Sequence, residues 1–146
     1  MRKSMLTRLG AISLLLVAFQ ANALTINGIN YKQFTSGGSK CPNGDSVMVY
    51  NGAKYCKSYR ANLSWTIPAT RADGTALQAS ELAGYEVYWT RSSDSAKGTI
   101  KVGNGESAVA AFEAYTPDTY YFAISAIDNK GLKSTLSSVA QTALGN

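Results

Sequence analysis

Three observations predict an all-β fold, an antiparallel sandwich of two sheets. The stretch Tyr115 to Ala126 alternates so that Tyr120, Phe122, Ile124 and Ala126 fall on one side and Tyr121, Ala123 and Ser125 on the other. That is the period of a strand with one buried face. Short aromatic and β-branched runs recur along the chain, punctuated by clusters of Gly, Asn, Asp, Ser and Pro. No segment beyond the first 23 residues carries helical periodicity.

The N-terminus has its own logic. Arg2, Lys3 and Arg8 precede the apolar run Ala11 to Phe19, which ends in Ala21-Asn22-Ala23. A basic head, a short apolar stretch and small residues two apart are the parts of a secretory signal peptide, so residues 1–23 are predicted to leave and the mature chain to begin at Leu24. The apolar run is far short of the ~20 residues that span a bilayer, and no membrane span is expected after cleavage. Of 14 Lys and Arg, the three in the head are removed, leaving 11 against 9 Asp and Glu. This small surplus forms no run or stripe, and nucleic acid is not an expected partner. Cys41 and Cys56 are the two cysteines of an exported chain, and they predict one disulfide worth about 3 kcal/mol through loop entropy.

Residues 24–57 read as two successive hairpins. Leu24-Thr-Ile26 and Ile29-Asn-Tyr31 flank Asn27-Gly28, and Val47 to Tyr50 and Ala53 to Cys56 flank Asn51-Gly52. Asn-Gly suits the two positive φ angles of a type I′ turn. With Asn51-Gly52 as the loop, Met48 faces Tyr55, Tyr50 faces Ala53, and Met48, Tyr50 and Tyr55 share a face. Thr35 to Lys40 is a loop by composition. Beyond it, strands are expected at Leu63 to Ile67, Gly84 to Thr90, Thr99 to Val102, Ala108 to Phe112, Tyr120 to Ala126 and Leu132 to Thr142, with turns at Asp73-Gly74, Ser92 to Ser95, Gly103 to Gly105 and Asp128 to Gly131.

About residues 58–145, within a domain taken as 58–146, resemble a fibronectin type III domain. The likeness lies in Leu63-Ser-Trp65 followed by Pro68, in Leu82-Ala-Gly-Tyr85-Glu-Val87-Tyr-Trp89, and in Tyr115-Thr-Pro117-Asp-Thr-Tyr120-Tyr-Phe122-Ala-Ile124-Ser-Ala126. It implies a seven-strand immunoglobulin-like sandwich behind an N-terminal β-hairpin extension, residues 24–57. Its core would hold Trp65, Tyr85, Val87, Phe112, Tyr120, Phe122 and Ile124, with Tyr120 as a corner tyrosine bonding back to the chain upstream. Strand A would come from Val47 to Tyr50 or from Tyr55 to Tyr59. The Asp128-Asn-Lys-Gly131 turn lacks the Arg-Gly-Asp tripeptide of receptor-binding family members. Residues 43–57 are similar to the middle of small chitin- and cellulose-binding modules, which stack exposed aromatic rings on sugar rings.

The chain has no histidine, which removes Ser-His-Asp and Cys-His triads and ordinary zinc sites. Glu81 with Glu86 and Glu106 with Glu113 are the nearest carboxylate pairs, and each reads as surface acid rather than hydrolytic machinery. Asp118 and Asp128 sit in no alternating acidic loop of calcium-binding type. No enzyme, cofactor or metal is expected. The expectation is an exported binding or scaffolding module with a protein partner, or alternatively a polysaccharide ligand carried by Tyr50, Tyr55 and Tyr59. The hairpin tyrosines are expected to dock on the sandwich, since a hairpin that buries nothing is marginal in water.

Overall fold

The computed structural model describes residues 14–17, 24–26, 29–35 and 37–145. The fold is all-β, with no α-helix among the described residues and one 3₁₀ turn at Ala79–Glu81. The strands are β1 (Leu14–Val17), β2 (Leu24–Ile26), β3 (Ile29–Gln33), β4 (Met48–Tyr50), β5 (Ala53–Lys57), β6 (Tyr59–Trp65), β7 (Leu82–Arg91), β8 (Lys97–Val102), β9 (Val109–Ala114), β10 (Asp118–Asp128) and β11 (Ala140–Leu144). They form three antiparallel sheets, in the orders β1-β6-β9, β11-β10-β7-β8 and β2-β3-β5-β4.

The first two sheets close on one core. Strand β10 is central in its sheet and pairs with β7 over most of its length, Tyr120 opposite Arg91 and Ala126 opposite Tyr85. Its inward residues Tyr120, Phe122, Ile124 and Ala126 are buried with Tyr85 and Val87 of β7, Ala61, Leu63 and Trp65 of β6, and Phe112 of β9. The rings interlock: Trp65 meets Tyr85 edge to face at 5.0 Å, and Phe112 meets Phe122 edge to face at 5.0 Å and Tyr120 at a tilt at 4.9 Å. Such geometry contributes roughly 0.5–1.5 kcal/mol per pair beyond the area buried. Buried hydroxyls find carbonyls: Tyr85 donates to Gly105 at 2.9 Å, and Tyr120 donates to Thr116, four residues upstream, at 2.8 Å.

The third sheet is the extension. The two hairpins expected there join through β3 and β5, with Tyr31 opposite Lys57 and Gln33 opposite Tyr55. Asn51 and Gly52 both have positive φ, 48° and 77°, and close the β4–β5 hairpin in the register Met48–Tyr55 and Tyr50–Ala53.

Two expectations need correction. Neither Val47 to Tyr50 nor Tyr55 to Tyr59 is the first strand of the sandwich. Met48–Tyr50 and Ala53–Lys57 are used up within the extension, and Tyr59 already opens β6. The strand beside β6 is instead β1, from within the predicted signal segment, whose other residues lie outside those described. The last strand is also shorter than Leu132 to Thr142. From Ser134 to Ser137 the chain follows β10 without a regular ladder: the Ser134 and Ser137 N–H groups donate to the Ala126 and Ile124 carbonyls, while their hydroxyls accept the N–H groups of Ala126 and Ile124 at 2.9 and 3.0 Å. Two side chains thus stand in for backbone acceptors.

Truncating either serine leaves a buried N–H without an acceptor. Ser134→Ala and Ser137→Ala should each lower stability by about 1–3 kcal/mol in urea titrations. Thr135→Ala, exposed between them, should stay within about 0.5 kcal/mol. Equal effects for all three would show that the serine hydroxyls do not hold this edge.

Candidate binding surface

In an antiparallel pair, opposite residues share a face and successive residues alternate. The register therefore sorts the extension sheet. Tyr31, Gln33, Met48, Tyr50, Ala53, Tyr55 and Lys57 lie on one face, and Lys32, Val49, Lys54 and Cys56 on the other.

The second face is the one tied down at Cys56 and Lys32, while Val49 at its outer strand is 65% exposed. Cys56 is bonded to Cys41, which ties the loop between β3 and β4 across it. Lys54 Nζ donates to the Gly38 carbonyl at 3.1 Å in the same loop, and Lys32 Nζ reaches Glu113 on β9 at 2.9 Å. The Glu113 bond raises the Lys32 pKa above its ordinary value. The ion pair to the sandwich, Lys32 with Glu113, leaves from the cystine face, and of the tyrosines expected to dock Tyr50 is exposed while Tyr55 is half-buried. Tyr50 is 46% exposed, and Tyr31, Met48 and Tyr55 are half-buried beside it.

Tyr59 stands apart from Tyr50 and Tyr55. It lies beyond Ser58 at the start of β6, packs against the core, and has the Lys57 ammonium 5.2 Å from its ring centroid. Tyr31 takes its place on the open face, which presents one tyrosine from each of three adjacent strands, β3, β5 and β4. Sequence spacing does not show this, because Tyr31 and Tyr55 meet only through a pairing between separate hairpins. The core candidates Trp65, Tyr85, Val87, Phe112, Tyr120, Phe122 and Ile124 are all buried.

A second concave feature lies between the extension and the open side of the sandwich. Two adjoining clefts of about 370 and 350 Å³ share a wall of Trp89, Phe112 and Glu113. Trp89 folds over the β8 edge because its partner there is Gly98, where a Cβ would sit 2.8 Å from the indole. The ions around this wall are engaged with one another. Lys32 is bound to Glu113, and Arg91 grips Asp94 through both its Nε and a terminal nitrogen. The site is a joint lined by closed pairs.

Of the candidate carboxylates, Glu81, Glu86, Glu113, Asp118 and Asp128 are likewise held. Glu81 binds Arg71 at 2.6 Å and accepts the Gln78 N–H, and Glu86 binds Lys133 at 2.7 Å and the Tyr88 hydroxyl. Asp128 accepts the N–H groups of Lys130 and Leu132, and Asp118 accepts that of Ser93. Among the described residues no cluster of three or more His, Cys, Asp or Glu is placed to hold a metal ion. No described helix is long and apolar enough to cross a membrane.

No protein-family model matches the chain, and no curated protein matches it. Among solved structures it is similar to one described as a myokine structure, with a TM-score of 0.44 and 18% identity over 66% of this chain and 88% of that one.

Arg91 holds the Asp94 carboxyl down to about 2, chiefly through its side-chain hydrogen bond and then through the Ala96 N–H. Since the folded value lies below the ordinary one, the stabilisation from this pair is complete above about pH 4 and is lost as pH falls toward 2. In an NMR pH titration, Arg91→Gln should move the Asp94 midpoint up toward the usual carboxylate range. An unmoved midpoint would show that the turn amides alone set it.

Proposed function

We propose that the protein is an exported, non-catalytic binding module of the fibronectin type III class whose extension holds a polysaccharide against Tyr31, Tyr50 and Tyr55. The single observation that carries this reading is the open tyrosine face of the β2-β3-β5-β4 sheet, with the opposite face pinned by the cystine. An aromatic ring offers an apolar surface to the C–H face of a sugar, and its hydroxyl stays wet. Rings set on paired strands are held in place before the ligand arrives, which lowers the entropy lost on binding.

Export is supported by the basic head and apolar run of the first 23 residues and by the disulfide. The family reading is supported by the three- and four-stranded sheets over one aromatic core and by the Tyr120 hydroxyl bonded back to Thr116. A non-catalytic role is supported by the engagement of Glu81, Glu86 and Glu113 with cations. A protein partner is the second reading, favoured by Leu136 and Val139, 57% and 67% exposed just ahead of β11.

The test is co-sedimentation of the exported protein with insoluble chitin, cellulose and peptidoglycan. Binding to one of them should fall at least about tenfold in Tyr31→Ala, Tyr50→Ala and Tyr55→Ala, a loss of about 1.4 kcal/mol each. The variants should unfold within about 1 kcal/mol of the parent. Tyr59→Ala should instead destabilise without a selective loss of binding. Protein that stays in the supernatant with all three polymers would overturn the polysaccharide reading.

A further inference from the structure

The strand that completes the sandwich beside β6 comes from the segment that export is expected to remove. Strand β1 runs antiparallel to β6 with Leu14 opposite Trp65, Leu15 opposite Ser64, Leu16 opposite Leu63 and Val17 opposite Asn62. It also touches β11 of the facing sheet, so it occupies a slot between the two edges. Leu63 and Trp65, opposite two of its leucines, are 0% and 5% exposed with β1 in place, and Leu144 of β11 is buried as well.

The β6 edge itself is built like an interior strand. Residues 62–65 are Asn-Leu-Ser-Trp, with no lysine, proline or bulge of the kind that blunts an open edge. The β8 edge of the other sheet, by contrast, carries Lys97 and Lys101. Along β6, successive N–H groups point to opposite edges. The Trp65 N–H goes to the Ala108 carbonyl on the β9 side, so those of Asn62 and Ser64 face β1. Once Leu14–Val17 is gone, this edge presents main-chain donors and acceptors above two buried apolar residues.

We infer that in the exported protein this slot receives an extended apolar strand from a partner protein, one whose residues alternate so that two apolar side chains fall opposite Leu63 and Trp65. The inference rests on the export reading and is independent of the polysaccharide face. The chemistry of the occupant is read from the segment that fills the slot in the full chain: a run of leucines with no charge, paired over four residues. Recognition is by strand addition, in which backbone bonds supply affinity and alternate side chains supply selectivity.

The experiment uses the chain recovered after export, with its first residue determined. The probe is a peptide of residues 12–19 carrying a solubilising lysine tail, beside a control peptide with Leu14→Asp and Leu16→Asp. Hydrogen exchange of the Asn62 and Ser64 amides is the readout. If the inference holds, the chain begins at Leu24 and the parent peptide at ten times its dissociation constant slows both amides roughly tenfold. The control peptide leaves them unchanged. Folding of an otherwise unfolded exported chain on addition of the parent peptide alone would support the same conclusion. A chain that begins at or before Leu14 overturns the inference through the export reading, because the slot is never vacated. A chain that begins at Leu24 with no response to the peptide overturns strand docking alone. So does a chain whose two amides are already protected in a dimer, since a second copy then closes the edge.

Discussion

The structure depends on one nearly continuous run of chain, Ala53 to Trp65, shared between the extension sheet and the sandwich. Strand β5 ends at Lys57, Ser58 is buried with its N–H on the Asn30 carbonyl, and β6 begins at Tyr59. With a single residue between them, the two strands cannot reorient freely. The side chains that β6 commits to the core therefore constrain which face of the extension turns toward the sandwich. A two-stranded hairpin alone is marginal in water. Here the Cys41–Cys56 cystine staples the four-stranded sheet to its own loop, while the Asn30–Ser58 bond and the Lys32–Glu113 pair tie that sheet to a larger core.

This anchoring decides where a ligand can be held. The concave feature is the cleft along Trp89, and the charged side chains Lys32, Glu113 and Arg91 that line it are already paired. Partly exposed pairs of this kind contribute little by themselves, so the cleft offers a ligand few uncommitted charges. The tyrosine face does not depend on charge. Its rings are set by strand pairing, with Tyr50 exposed and Tyr31 and Tyr55 half-buried beside it, so they can meet an apolar surface without rearranging the fold.

Much of the fold was legible in the sequence because its signals are local. The alternation of β10, the Asn51-Gly52 turn and the even pair of cysteines each specify geometry within a few residues, and the structure holds an antiparallel all-β fold, the type I′ hairpin and the disulfide. What escaped depends on distant pairings. Tyr31 joins Tyr55 only because β3 pairs with β5 across the loop between the hairpins. The strand before β11 misled because Leu132, Leu136 and Val139 suggest a ladder where the contacts are made by the hydroxyls of Ser134 and Ser137. The first strand of the sandwich escaped for a different reason. Leu14–Val17 reads as an export signal, and an apolar run suited to a signal peptide also suits the edge of a β-sheet.

The most direct measurement is nitration of tyrosines in the native protein, followed by mapping of the modified sites. Tyr31, Tyr50 and Tyr55 should react in the folded state, while Tyr85 and Tyr120, both buried with their hydroxyls bonded to carbonyls, should react only on unfolding. Protection of Tyr31, Tyr50 and Tyr55 to the level of Tyr85 would contradict the open face and, with it, the assignment of the cystine side as the one tied to the sandwich.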